Sequence, residues 1–99
     1  MTDKDYKYYL EEGIKKTNEG KFEEALKDLE KSLELKPDHA LTHFSKAIAH
    51  HNLKQLRAAY ENYGHAIKID EKMVDAYYNR AQTILAFDNP SEEELKEAK

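Results

Sequence analysis

Apolar residues recur along this chain at helical spacing. Leu26, Leu29 and Leu33 lie three and four residues apart, and so do Tyr60, Tyr63 and Ile67, and Leu41, Phe44 and Ile48. At 3.6 residues per turn each set forms one stripe along a helix whose remaining surface is polar. The pattern predicts helices near residues 3 to 18, 22 to 35, 39 to 52, 55 to 70 and 73 to 86, with a weaker one from about residue 91. Three glycines and two prolines leave little turn chemistry for a many-stranded sheet. With 99 residues there is room for one domain, and at 36% charged residues its helices must bury narrow stripes against one another.

The helices repeat. At one constant interval Ala25 falls on Ala59, Leu29 on Tyr63, Ser32 on Ala66, Leu33 on Ile67 and Leu35 on Ile69. The same interval carries Gly13 onto Ala47 and Ala81, Tyr9 onto His43 and Tyr77, and Leu10 onto Phe44 and Tyr78. Small residues match small ones and large apolar residues match large ones. Gly13, Ala47 and Ala81 in the first helices, with Ala25, Ser32, Ala59 and Ala66 in the second, let antiparallel helices approach closely.

A small residue midway through each of two helices, recurring with a period of about 34 residues, resembles the tetratricopeptide repeat. The resemblance is closest in GKFEEALKDLEKSLELKP and DAYYNRA. It implies an all-α fold, a right-handed superhelix of antiparallel helix pairs, with one repeat over residues 6–39, a second over 40–73 and a partial third over 74–87. Glu12, Lys46 and Arg80 stand where the family usually has leucine, Lys16 where it often has an aromatic, and Glu71 where it has proline. In the third repeat Glu93 replaces the expected alanine and Glu97 the expected aromatic, so a regular second helix would drive carboxylates into the core. Ser91 and Glu94 instead form a capping box, which predicts a short polar capping helix over residues 90–99.

In the family the first helix of each repeat lines a concave surface. Here those helices carry a second apolar stripe: Leu10 and Ile14; Leu41, Phe44 and Ile48; Tyr78 and Leu85. Stacked by the period, Leu10, Phe44 and Tyr78 are expected to form one row across a groove and Ile14, Ile48 and Gln82 the next, flanked by Ser45, Asn52 and Asn79. The expected function is a protein–protein interaction module that takes a helical or extended peptide segment in this groove. Phe44→Glu is expected to abolish such binding. The family's carboxylate clamp for acidic C-terminal tails is missing, because the matching positions are Leu10, Ile14, Ser45, Asp75 and Asn79 and include no cation. The alternatives are a self-assembling homodimer and an RNA-binding helical repeat.

Net charge is −4, which disfavours phosphate binding, although residues 39–69 carry four bases against the single acid Glu61. All five histidines also fall in that segment. His39 and His43 have a chelating spacing, but no carboxylate or cysteine completes a set, so no metal site and no cofactor is expected. His43 and His50 occupy aromatic positions of the repeat and are expected to be structural. Ser32, Ser45 and Ser91 lack a histidine at a recognisable motif spacing, and there is no glycine-rich phosphate loop, so no enzyme activity is expected. The longest apolar run is four residues, no cysteine is present, and the expected location is cytoplasmic, with no membrane contact.

Overall fold

The computed structural model describes residues 4–87. Five helices fill that span: α1 (Tyr6–Asn18), α2 (Phe22–Leu35), α3 (Ala40–Asn52), α4 (Leu56–Ile69) and α5 (Val74–Leu85). Each matches an expected helix to within a few residues. The first begins later than expected because Asp5 is its N-cap, its carboxylate accepting from the Tyr8 amide at 3.1 Å. The expected capping helix over residues 90–99 lies outside the described residues. No helix among the described residues is long and apolar enough to cross a membrane.

The loops within repeats are two copies of one turn. The Lys21 amide bonds the Lys16 carbonyl at 2.8 Å, and one period later the Gln55 amide bonds the His50 carbonyl at 2.9 Å. These are the six-to-one bonds that close a helix through a left-handed residue. Gly20 supplies that residue in the first turn at φ 80°, and Lys54 holds the same position in the second at φ 64°. Such short connections make each helix antiparallel to the next, and successive helices pack together down the chain, with α1 also touching α3. The result is a tetratricopeptide-like solenoid.

The small-residue grid is the core. Gly13, Ala25, Ser32, Ala47, Ala59 and Ala66 are all buried, and Ala81 is half-buried. Closeness is greatest at Gly13, where an added Cβ would lie 2.5 Å from Leu29 Cδ2 and 2.6 Å from Leu29 Cγ. The Ser32 hydroxyl donates to the Tyr6 carbonyl at 2.8 Å, so a small position also ties α2 to α1. Ala47, Ala59 and Tyr63 form one buried cluster between α3 and α4, while Ala66, Ile67 and Ala76 form a second toward α5.

The departures from the family pattern are accommodated at the rim. Lys16, where an aromatic is common, forms an ion pair with Asp28 across α1 and α2, and that hydrogen bond holds its ammonium pKa above the usual lysine value. Arg80 lies over the rings of Tyr60 and Tyr77 at 5.8 and 5.7 Å, so its stem and guanidinium replace a leucine contact with cation–π contacts. Phe87 is buried against Tyr60, ring centroids 5.9 Å apart, with the Arg57 guanidinium 4.3 Å from the centre of its ring. That ring pins the end of α5 to α4.

Candidate functional site

The first helices of the repeats, α1, α3 and α5, share one side of the stack, and two hollows open between them. The first, about 90 Å³, is lined by Ile14, Thr17, Asn18, Ser45 and Ile48. The second, about 280 Å³, is lined by Ile48, His51, Asn52, Tyr63 and Asn79. Ile48 is the wall common to both. Ile14 and Ile48 are one period apart, as are Thr17 and His51, and Asn18 and Asn52, so the second hollow is lined from the same positions as the first one repeat along, with the isoleucine and asparagine kept and threonine exchanged for histidine.

Hydrogen bonds fix the polar rim. Asn52 donates from Nδ2 to the Ile48 carbonyl at 2.8 Å, which leaves Oδ1 as its acceptor. The Thr83 hydroxyl donates to the Asn79 carbonyl at 2.8 Å and lies 3.2 Å from His51 Nδ1. Its single proton is used on the carbonyl, so His51 donates from Nδ1 and its imidazole ties α3 to α5. Below them the Tyr63 phenol is pushed up to about 12 by burial, against the opposing pull of a hydrogen bond with Asn79. The sign follows from linkage. Between pH 10 and 12 the unfolded chain releases this proton while the folded chain keeps it, so the contribution of neutral Tyr63 is complete below pH 10 and lost as pH rises. Chemical denaturation across that window is expected to cost the wild type about 2 to 3 kcal/mol more than Tyr63→Phe. Equal alkaline losses in the two proteins would remove Tyr63 as the cause.

The structure redistributes the expected groove residues. Ile14, Ser45, Ile48, Asn52 and Asn79 line the hollows, with Ser45 forming a buried floor. Leu41, Tyr78 and Gln82 are exposed but line neither. Leu10 is corrected: only 6% of it is accessible, so it presents nothing to a partner. Phe44 is half-buried, its ring 5.7 Å from that of Tyr63, and it packs against both core clusters.

Along the expected row of Leu10, Phe44 and Tyr78 exposure rises from buried Leu10 through half-buried Phe44 to Tyr78, which is 64% exposed. Thr17, Asn18, His51 and Tyr63 also line the hollows, although the apolar stripes do not single them out. The period alone is enough to find Asn18, as the counterpart of Asn52.

The histidines are engaged separately. His39 Nδ1 lies 3.0 Å from the Thr42 hydroxyl, with its pKa lowered by burial and by Lys36. His43 Nε2 donates to the Pro37 carbonyl at 2.8 Å, its Nδ1 is buried without a partner, and its ring stacks toward His65 at 5.4 Å. His50 Nδ1 meets the Gln55 amide oxygen at 2.7 Å. Among the described residues no three histidine, aspartate, glutamate or cysteine side chains converge as metal ligands do.

The family comparisons agree with this geometry. The SHNi-TPR family model matches residues 18–43, and the tetratricopeptide repeat model matches residues 40–73. No curated protein matches the chain. Together the two matches cross most of the buried small-residue grid and the turn that joins the first repeat to the second. The chain belongs to the tetratricopeptide repeat family, whose few-repeat helical stacks serve in general as protein–protein interaction modules rather than enzymes.

Proposed function

We propose that the concave side of this domain binds an extended segment of another protein through one or two aliphatic side chains, seated in the hollows on either side of Ile48. The carrying observation is that the hollows adjoin, share one wall and are lined from matching positions of the repeat, with Ile14 recurring as Ile48 and Asn18 as Asn52. A bound strand crossing the first helices meets an apolar socket, then a polar rim, then a second socket. Asn18, Asn52 and Asn79 provide amide donors and acceptors for a peptide backbone, which an amphipathic helix, with its backbone already paired, could not use. A hollow of about 90 Å³ also suits a single small side chain better than the face of a helix. Neither hollow is lined by a lysine or arginine, so the site has no preference for a terminal carboxylate.

Two aliphatic anchors contribute roughly 3 to 6 kcal/mol gross, and association costs leave an affinity no tighter than about 100 micromolar. Peptides selected from a displayed random library are expected to carry paired aliphatic residues. Ile14→Gln is expected to weaken their binding about tenfold, the loss of roughly half an apolar side chain's burial, while leaving the thermal midpoint nearly unchanged. Selected peptides that bind this variant as well as the wild type would place the site elsewhere.

A further inference from the structure

We propose that the open face of α5 docks on the same face of a second copy of this chain, the two helices running antiparallel about a two-fold axis. Val74, Tyr78, Ala81 and Leu85 lie four, three and four residues apart and form one stripe along α5. In the first two repeats the matching face is buried or half-buried throughout: Leu10 and Gly13 are buried on α1, and on α3 Ala47 is buried and Phe44 half-buried. On α5 only Ala81 of the stripe is half-buried, and the larger residues of the stripe stay open. Val74 is 74% exposed, Tyr78 64% and Leu85 59%. In the repeat register Glu93 and Glu97 stand where Ala25 and Leu29 stand in the first repeat.

A second copy fits for three reasons. First, the four-three-four spacing is that of a coiled-coil seam, which keeps both stripes facing over the three turns of the helix. Second, the stripe is its own complement in size. A two-fold axis midway between Asn79 and Arg80 sets Tyr78 against Ala81 of the second copy and Val74 against Leu85 of the second copy, so each large ring meets a small residue. Third, the axis brings no like charges together. Asp75 and Arg80 are the only charged residues of α5. The axis places Asp75 beside Gln82 of the second copy, and Arg80 is drawn to the rings of Tyr60 and Tyr77 on its flank. A helix of three turns buries well under the ~1,600 Å² of a standard interface, so the dimer is weak, with a dissociation constant on the order of 100 micromolar.

This surface is separate from the hollows around Ile48, so Ile14→Gln should leave dimerisation intact and Tyr78→Glu should leave peptide binding intact. Sedimentation velocity over a concentration series is expected to show a monomer–dimer equilibrium in the wild type and a monomer in Tyr78→Glu. At low concentration that variant should keep the wild-type thermal midpoint; a marked fall would mean that the same chain already covers the face, and would overturn the proposal. So would a wild type that stays monomeric at every concentration.

The register is tested by disulfides, which is direct because the chain has no cysteine of its own. When Tyr78→Cys and Ala81→Cys chains are mixed in equal amounts in a glutathione buffer, the mixed disulfide should exceed the statistical half of the crosslinked product. An excess of either self-crosslinked species would reject the antiparallel pairing.

Discussion

Gly13→Ala is expected to destabilise the domain by about 1 to 3 kcal/mol, although alanine is the better helix former by roughly 1 kcal/mol. The added methyl would sit 2.5 Å from Leu29 Cδ2, and Leu29 is fully buried, so it has no solvent into which to retreat. Leu29→Ala alone is expected to cost about 2 to 5 kcal/mol, through lost burial and the cavity left behind. The double variant decides the mechanism. With Leu29 truncated the methyl at position 13 occupies part of the vacated space, so the double variant should lose less than the sum of the two, by about 1 kcal/mol or more. Urea unfolding of the four proteins gives the coupling. A strictly additive cycle would show that Gly13 is not held by close approach to Leu29.

Phe44→Glu is expected to unfold the domain outright. The sequence pattern offers Phe44 as a groove anchor whose loss removes binding alone, but the ring bridges the cluster around Ala47, Ala59 and Tyr63 and the cluster around Ala66, Ile67 and Ala76. Replacing it forfeits about 2 to 3 kcal/mol of apolar burial and leaves a carboxylate partly desolvated, which adds several more. A domain of this size has total stability of only about 5 to 10 kcal/mol. Far-ultraviolet circular dichroism should show the loss of helix, whereas Phe44→Leu, which preserves an apolar side chain, should cost under about 2 kcal/mol. A folded Phe44→Glu protein would mean that the two clusters do not depend on the ring between them.

These two expectations rest on different kinds of legibility. That Gly13 belongs to the interior is readable from its recurrence as Ala47 and Ala81, because a small residue that repeats at the period of the fold marks a place where backbones meet. That Phe44 is a core residue is not readable in the same way. Its position lies between the stripe that packs within a repeat and the surface that faces a partner, and an i, i+4 pattern gives the same angle for both. The same ambiguity holds for Leu10, which is buried, and for Tyr78, which is not.

The order of residues alone was enough to specify the five helices, their approximate ends, the pairing within repeats and the grid of small residues. Those features are local or recur at a fixed interval, and each is enforced by a steric requirement that few residue types satisfy. Which apolar side chains remain available to a partner was settled only when the repeats packed against one another. Exposure depends on the neighbours that packing supplies, so equivalent residues meet unlike fates: Leu10 is buried, Phe44 half-buried, and Tyr78 lies open where no described helix succeeds α5.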